Sequence, residues 1–151
     1  MKIQILSACK TTDSSLLSIE AEYKKRLKQA LEIVELGGEK LSKLSPAEQR
    51  NKTLELIEQR SRPDQVLYLL TEEGKQLTSK EFATEIQTAM NSGKSNFSFA
   101  IGGAYGIEIP KGKHQTLSLS PMTMPHQLCR LVLVEQLYRA VCIMQGHPYH
   151  K

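Results

Sequence analysis

The sequence predicts an α/β fold with a largely parallel sheet, on three observations. Short apolar, β-branched runs alternate with segments of helical period in the order βαβαβαβ, followed by a loop, a short strand and a last helix. Two Ser/Thr-x-x-Glu boxes, Ser45 to Glu48 and Thr78 to Glu81, stand where the period switches. The run Val66-Leu67-Tyr68-Leu69-Leu70 is almost continuously apolar, as in a strand covered on both faces. With 151 residues, 40% of them hydrophobic and 24% charged, the chain reads as one domain over residues 1–151. It has no linker, repeat or low-complexity stretch.

The elements follow in order. Lys2 to Ala8 is the first strand. Asp13 or Ser14 caps a helix whose apolar face is Leu16, Ile19, Tyr23, Leu27 and Ala30. Leu31 to Leu36 is the second strand, ended by a turn at Gly37-Gly38. Pro46 sits at the first position of a helix to about Arg60. Its face of Ala47, Leu54 and Ile57 is thin, which places it at the surface. Val66 to Leu70 is the third strand, and Thr71 to Gly74 reads as the loop after it. The next helix carries Phe82, Ala83, Ile86, Ala89 and Met90 on one face and stops at Asn91 to Gly93. Phe97 to Ile101 and the short Leu117 to Leu119 are the last strands. The final helix starts near Pro125 and ends before Gly146, with apolar residues on nearly every face, so it reads as buried all round.

Composition excludes some functions. The longest apolar stretch, Leu131 to Met144, is interrupted by Glu135, Gln136 and Arg139 and is too short to span a bilayer. Too few apolar residues precede Leu6-Ser7-Ala8-Cys9 for a secretory signal. Three cysteines without framework spacing read as free thiols, and the cytoplasm is the expected compartment. The net charge of +4 tolerates an anionic partner. Lys24, Lys25, Arg26 and Lys28 form the densest basic cluster, which as the wet face of a helix needs no ligand.

Ligands of open parallel sheets bind beyond the carboxyl ends of the strands, where three loops fall: Thr71 to Gly74, Gly102 to Gly106, and Ser118 to Pro125. The glycine loop lacks the spacing of a P-loop or a dinucleotide fingerprint, and both a tight turn and a ligand loop fit it. His126-x-x-Cys129 and His147-x-x-His150 have zinc-type ligands, but nothing implies that they converge, and no metal is expected. Glu135 and Arg139, four apart, share a helix face as an ion pair, either structural or with Arg139 turned to an anionic substrate. No nucleophile elbow or magnesium-binding carboxylate cluster is present.

The stretches Ile101 to Gly106, Leu117 to Gln127, Glu135 to Ala140 and Gly146 to Lys151, with Met1 to Ile5 and Glu22 to Arg26, resemble the SPOUT methyltransferases. Within that superfamily the likeness is to a small bacterial branch acting on large-subunit ribosomal RNA, and it covers the whole chain. The resemblance implies a Rossmann-like sheet with a C-terminal trefoil knot, a homodimer, and methyl transfer from S-adenosylmethionine to N3 of a pseudouridine in 23S rRNA, on the assembled ribosome. It implies a cofactor pocket of Leu70, Gly102, Gly103, Leu119, Ser120, Pro121, Met122, Thr123 and Met124. The candidates for catalysis are His126, Arg139, Tyr149 and His150, with the tail residues reaching over the target from the partner subunit. Two positions and one segment depart from the pattern. Thr71 stands in place of an acidic residue and Cys9 in place of a small glycine. The segment between Gly106 and Leu117 is short, which reduces a helix there. The competing readings are a SPOUT enzyme acting on transfer RNA, a non-catalytic ribosome- or RNA-binding protein of this fold, and a knotted dimer without ligand.

Overall fold

A computed structural model describes residues 1–37 and 41–151. Gly38, the second half of the turn expected after the second strand, lies outside the described residues. Five strands form one sheet in the order β2-β1-β4-β3-β5, every neighbouring pair parallel. They are β1 (Lys2–Ser7), β2 (Leu31–Glu35), β3 (Val66–Gln76), β4 (Asn96–Ile101) and β5 (Gln115–Ser118). The main helices among the described residues are α1 (Ser14–Leu27), α2 (Pro46–Arg60) and α3 (Ser79–Asn91), each linking two successive strands, and α4 (His126–Met144), which follows β5.

The strand period of two divides the core. Ile3, Ile5, Phe97, Phe99, Ile101 and Tyr68 face α1, α3 and α4 and form the main core with Phe82, Ile86, Leu133, Val134 and Leu137. Leu6, Leu69 and Ala100 point the other way, onto Ile57 of α2 and Ile107. Tyr68 stacks on Phe99 with centroids 5.1 Å apart, and Phe82 meets the same ring edge-on at 5.9 Å. α4 lies between α1 and α3 across this face. It is not buried all round. Arg130, Leu133, Val134, Leu137, Ala140 and Cys142 are buried, most of the rest is half-buried, and Leu128 is exposed.

The helix starts follow their sequence signals. Asp13 Oδ1 accepts from the backbone N–H groups of Ser15 and Leu16. Ser45 and Thr78 each form the reciprocal capping box with Glu48 and Glu81. Two helix faces differ from the reading. On α1, Glu20 is buried and Ile19 is 47% exposed, because Glu20 meets the Arg130 guanidinium of α4. On α2, Ala47 is exposed and the inward residues are Thr53, Leu54 and Ile57.

The third strand does not stop at Leu70. Thr71 to Gly74, read as a loop, lie within β3, and the register on β5 shifts between Leu70 and Lys75, so that both oppose Leu117. The Glu-Glu-Gly composition reads as a turn; residues 71–74 bulge out between Leu70 and Lys75, and the strand resumes its pairing with β5 beyond them. Gly74 makes this possible, since a Cβ there would stand 2.6 Å from the Leu117 carbonyl carbon and 2.8 Å from its nitrogen. Gly74→Ala is therefore expected to loosen the β3–β5 pairing and cost about 2 kcal/mol, read as a lower urea midpoint. An unchanged midpoint would mean that the two backbones separate freely here.

Between Gly106 and Gln115 there is no helix; the segment runs through turns at 111–113 and buries Ile107. No helix among the described residues is long and apolar enough to cross a membrane. Cys9, Cys129 and Cys142 are free thiols.

Candidate active site

A cavity of 940 Å³ opens at the carboxyl end of the sheet. Its walls come from β3 and its bulge, the glycine loop after β4, and the segment from β5 into α4. Leu70, Gly102, Gly103, Leu119, Ser120, Met122, Thr123, Met124 and His126 all line it, whereas Pro121 does not. Thr71, Glu72 and Glu73 contribute from the bulge, Tyr105 from the glycine loop and Arg50 from α2. Tyr105 was legible within the loop motif; Arg50 had no cue in the sequence, because only the packing of α2 brings it to the rim.

The glycine loop is both a tight turn and a cavity wall. Gly106 N–H donates to the Gly103 carbonyl at 3.0 Å, and Gly106 has φ 78°, a left-handed conformation natural to glycine. Gly102 packs directly on Gly106; a Cβ on Gly102 would lie 2.6 Å from the Gly106 carbonyl carbon. Cys9 lies behind Gly103, its thiol pushed up by burial against the Ala104 backbone that lowers it.

The opposite wall is ordered by its serines. Ser118 Oγ donates to the Ser120 carbonyl at 3.0 Å, and Ser120 Oγ accepts from Met122 N–H at 3.0 Å. α4 then starts at His126 without a side-chain cap, so its first N–H groups and the positive end of its dipole stand beside the cavity. Gln127 Oε1 accepts from Thr12 and Asp13 N–H and latches this start to α1. His126 makes no hydrogen bond among the described residues. Burial pushes the Cys129 thiol up to about 11, so at neutral pH it is a thiol and not a thiolate. Among the described residues no three His, Cys, Asp or Glu side chains are grouped to hold a metal ion.

Arg139, Tyr149 and His150 are elsewhere. Arg139 lies 13 residues beyond His126 along α4, about 20 Å at the helical rise, and none of the three lines the cavity. They form a second cluster around Glu135. Arg139 donates to Glu135 Oε1 from Nε at 3.0 Å and Nη2 at 2.6 Å, and its guanidinium lies 4.8 Å over the Tyr149 ring. Tyr149 Oη donates to the same carboxylate oxygen at 3.0 Å. The contact at 3.2 Å between Tyr149 and Tyr23 hydroxyls is then donated by Tyr23. Burial first, then these bonds, hold Tyr149 well above the usual phenol range. The hydrogen bond to Glu135 raises the pKa of Arg139 further. Arg139 Nη1 reaches His150 Nδ1 at 3.4 Å; a guanidinium only donates, so Nδ1 accepts and the ring proton sits on Nε2. The sequence showed the Glu135–Arg139 pair. It did not show Tyr23, which is 126 residues from Tyr149 in the chain.

A cavity walled by glycine backbone, a mixed apolar and polar loop and an open helix start is suited to a small ligand with both an apolar body and an anionic group. Comparison with known proteins agrees with this geometry. The family described as predicted SPOUT methyltransferase matches residues 1–150. The chain is 41% identical to the Ribosomal RNA large subunit methyltransferase H of Enterococcus faecalis, 39% to that of Exiguobacterium sibiricum and 41% to that of Bacillus thuringiensis, each alignment covering 100% of both chains. Cavity, glycine turn and full-length similarity together establish that this chain belongs to the SPOUT methyltransferase family.

Proposed function

We propose that this chain methylates N3 of a pseudouridine in large-subunit ribosomal RNA, in the cytoplasm and on the assembled ribosome, using S-adenosylmethionine held in the cavity. The observation that carries the reading is the backbone cradle at Gly102 and Gly106, in a chain that aligns end to end with rRNA methyltransferases. The cradle fits the cofactor. Backbone groups at Leu70, Gly102, Gly103, Leu119, Ser120, Met122, Thr123 and Met124 would hold the adenosine, Pro121 would shape the turn between them, and the uncapped start of α4 would suit the methionine carboxylate. Bound there, the cofactor supplies an electrophilic methyl group.

The protein's own part is to place N3 and handle its proton. His126 lines the cavity, makes no hydrogen bond among the described residues, and is our candidate to take the proton. Glu135 is committed to Arg139, Tyr149 and Gln136 and is not available as one. Tyr149 is a neutral phenol that fixes Glu135 and the Arg139 plane. Arg139 and the Nε2–H of His150 then stabilise the negative charge that the base develops as N3 gives up its proton.

Within one chain these groups lie apart from the cavity. We infer that a second copy completes the site, its tail closing over the cavity of the first. The exposed Met122 and Leu128, at the rim and at the start of α4, support an interface there. The C-terminal trefoil knot belongs to the same reading.

Calorimetry with S-adenosylmethionine, coupled to methyl transfer to ribosomes lacking the modification, tests the reading. Binding with transfer to large-subunit RNA is expected; no binding would reduce the glycine loop to a turn. Arg139→Ala is expected to lower kcat about 100-fold with cofactor affinity unchanged, and Tyr149→Phe to act in the same direction. Full activity in both variants would remove the second cluster from the mechanism. Transfer to naked RNA is expected to be slower than to ribosomes, because this small domain has little surface of its own for reading RNA.

A further inference from the structure

The basic cluster at the end of α1 is not an isolated wet face. Arg26 lies over two rings at once, with its Cζ 5.6 Å from the Tyr23 centroid and 5.7 Å from that of Tyr138. Those rings are 5.8 Å apart, and Tyr138 meets Tyr149 edge-on at 4.8 Å. Three tyrosines are thus flanked by two arginines, Arg26 on the α1 side and Arg139 on the tail side. Arg139 is paired with Glu135. By contrast, no carboxylate among the described residues lies within ion-pair distance of Lys24, Lys25, Arg26 or Lys28, and all four are exposed.

A guanidinium stacked on rings is held in place while its edge, which carries the N–H donors, stays open to an acceptor. Exposed lysines around one arginine held on half-buried tyrosine rings match the chemistry of a nucleic-acid backbone. Lys28 adds a second observation. It is the one non-glycine residue with positive φ among the described residues, at φ 55° and ψ −136°. Glycine adopts such a conformation without strain and lysine does not. A charged side chain is thus present where the backbone alone would favour none.

We propose that the end of α1, with Lys24, Lys25, Arg26 and Lys28, is a docking surface for RNA backbone phosphates, and that Arg26, fixed on Tyr23 and Tyr138, is its central contact. This rests on the reading of the chain as an RNA methyltransferase. Through Tyr23 and Tyr149 the surface is continuous with the tail cluster, so RNA held there lies beside Arg139 and His150. Arg26 is a positioning residue: it grips the substrate away from the reacting atoms.

The bland account, that these cations only complement the carbonyl end of the α1 dipole, makes a different prediction. It lets Arg26→Ala change stability and leave RNA binding alone. The test is equilibrium binding of the protein to assembled ribosomes lacking the modification, between about 50 and 200 mM salt. Melting temperature, cofactor calorimetry and methyl transfer are followed on the same proteins. Arg26→Ala is expected to bind about tenfold more weakly, with a log–log salt slope shallower by about 1, and with cofactor affinity unchanged. Arg26→Lys keeps the charge but loses the planar stack and should fall between. Lys28→Gly should raise the melting temperature by about 2–4 °C while weakening binding, opposite signs that a merely structural lysine does not give. An Arg26→Ala slope equal to that of the parent protein, with the parent binding and transferring normally, overturns the surface alone. Parent binding that depends on Arg26 but leads to no transfer overturns the catalytic reading and keeps the surface.

Discussion

Arg130→Ala is expected to cost about 3–5 kcal/mol of a total stability of about 5–15 kcal/mol. The Arg130 side chain, 3% exposed, donates to both oxygens of Glu20, at 2.7 and 3.1 Å, and to Glu35 at 2.9 Å. It thereby joins α4 to α1 and to the end of β2, and Glu35 also receives the Thr11 N–H at 3.4 Å. Truncation leaves Glu20, 8% exposed, without its cation in a place that water barely reaches. Charge burial without a partner outweighs the lost packing of the arginine stem. The effect should appear as a melting temperature lower by roughly 10 °C and a lower urea midpoint with an unchanged m-value. Removing Glu20 as well, as Arg130→Met with Glu20→Leu, should restore most of the loss, since a packed apolar pair is a fair substitute for a buried ion pair. If Arg130→Ala loses less than about 1 kcal/mol, water enters the junction and solvates the carboxylates.

Gly102→Ala should abolish cofactor binding at ordinary concentrations, with a loss of about 100-fold or more. The added carbon would meet the Gly106 carbonyl carbon at 2.6 Å, its Cα at 2.8 Å and its oxygen at 2.8 Å. These are backbone atoms, so no side chain can rotate away and the turn itself must move. The wall that moves is the one lining the cavity. Gly103→Ala is the control. Its Cβ would make ordinary contacts, 3.5 Å to Cys9 Sγ and 3.8 Å to Ala8 Cβ, and it should bind nearly as the parent protein does. Calorimetry on the two variants, with melting temperatures to show that both are folded, separates local shape from global damage. Equal binding by both would mean that the loop is remote from the cofactor.

Much of the architecture was legible because local chemistry and global fold agree. Ser45, Thr78 and Asp13 cap helices where the periodicity changes, and the alternating residues of β1, β4 and β3 sort cleanly onto two cores. Misreadings arose where a distant residue decides. Glu20 looks like a surface position until Arg130, 110 residues away, comes to meet it. Thr71 to Gly74 looks like a turn until β5 supplies a partner for Lys75 and Gln76. The cavity loops were legible as glycine- and serine-bearing segments after strands. Their separation from Arg139, Tyr149 and His150 was not, because helix length sets it and the motif order hides it.

The position of α4 has a consequence for the making of the protein. Sheet strands β1 to β4 emerge early, but the face carrying Phe97 and Phe99 is covered by Leu133, Val134 and Leu137 only when the last helix has been synthesised. The same final stretch brings the wall from Leu119 to His126. A chain cut short before this point has an uncovered greasy face and no place to hold its methyl donor. Interrupted translation therefore yields a sticky fragment for proteolysis, never a weakened enzyme that draws on the cell's donor supply.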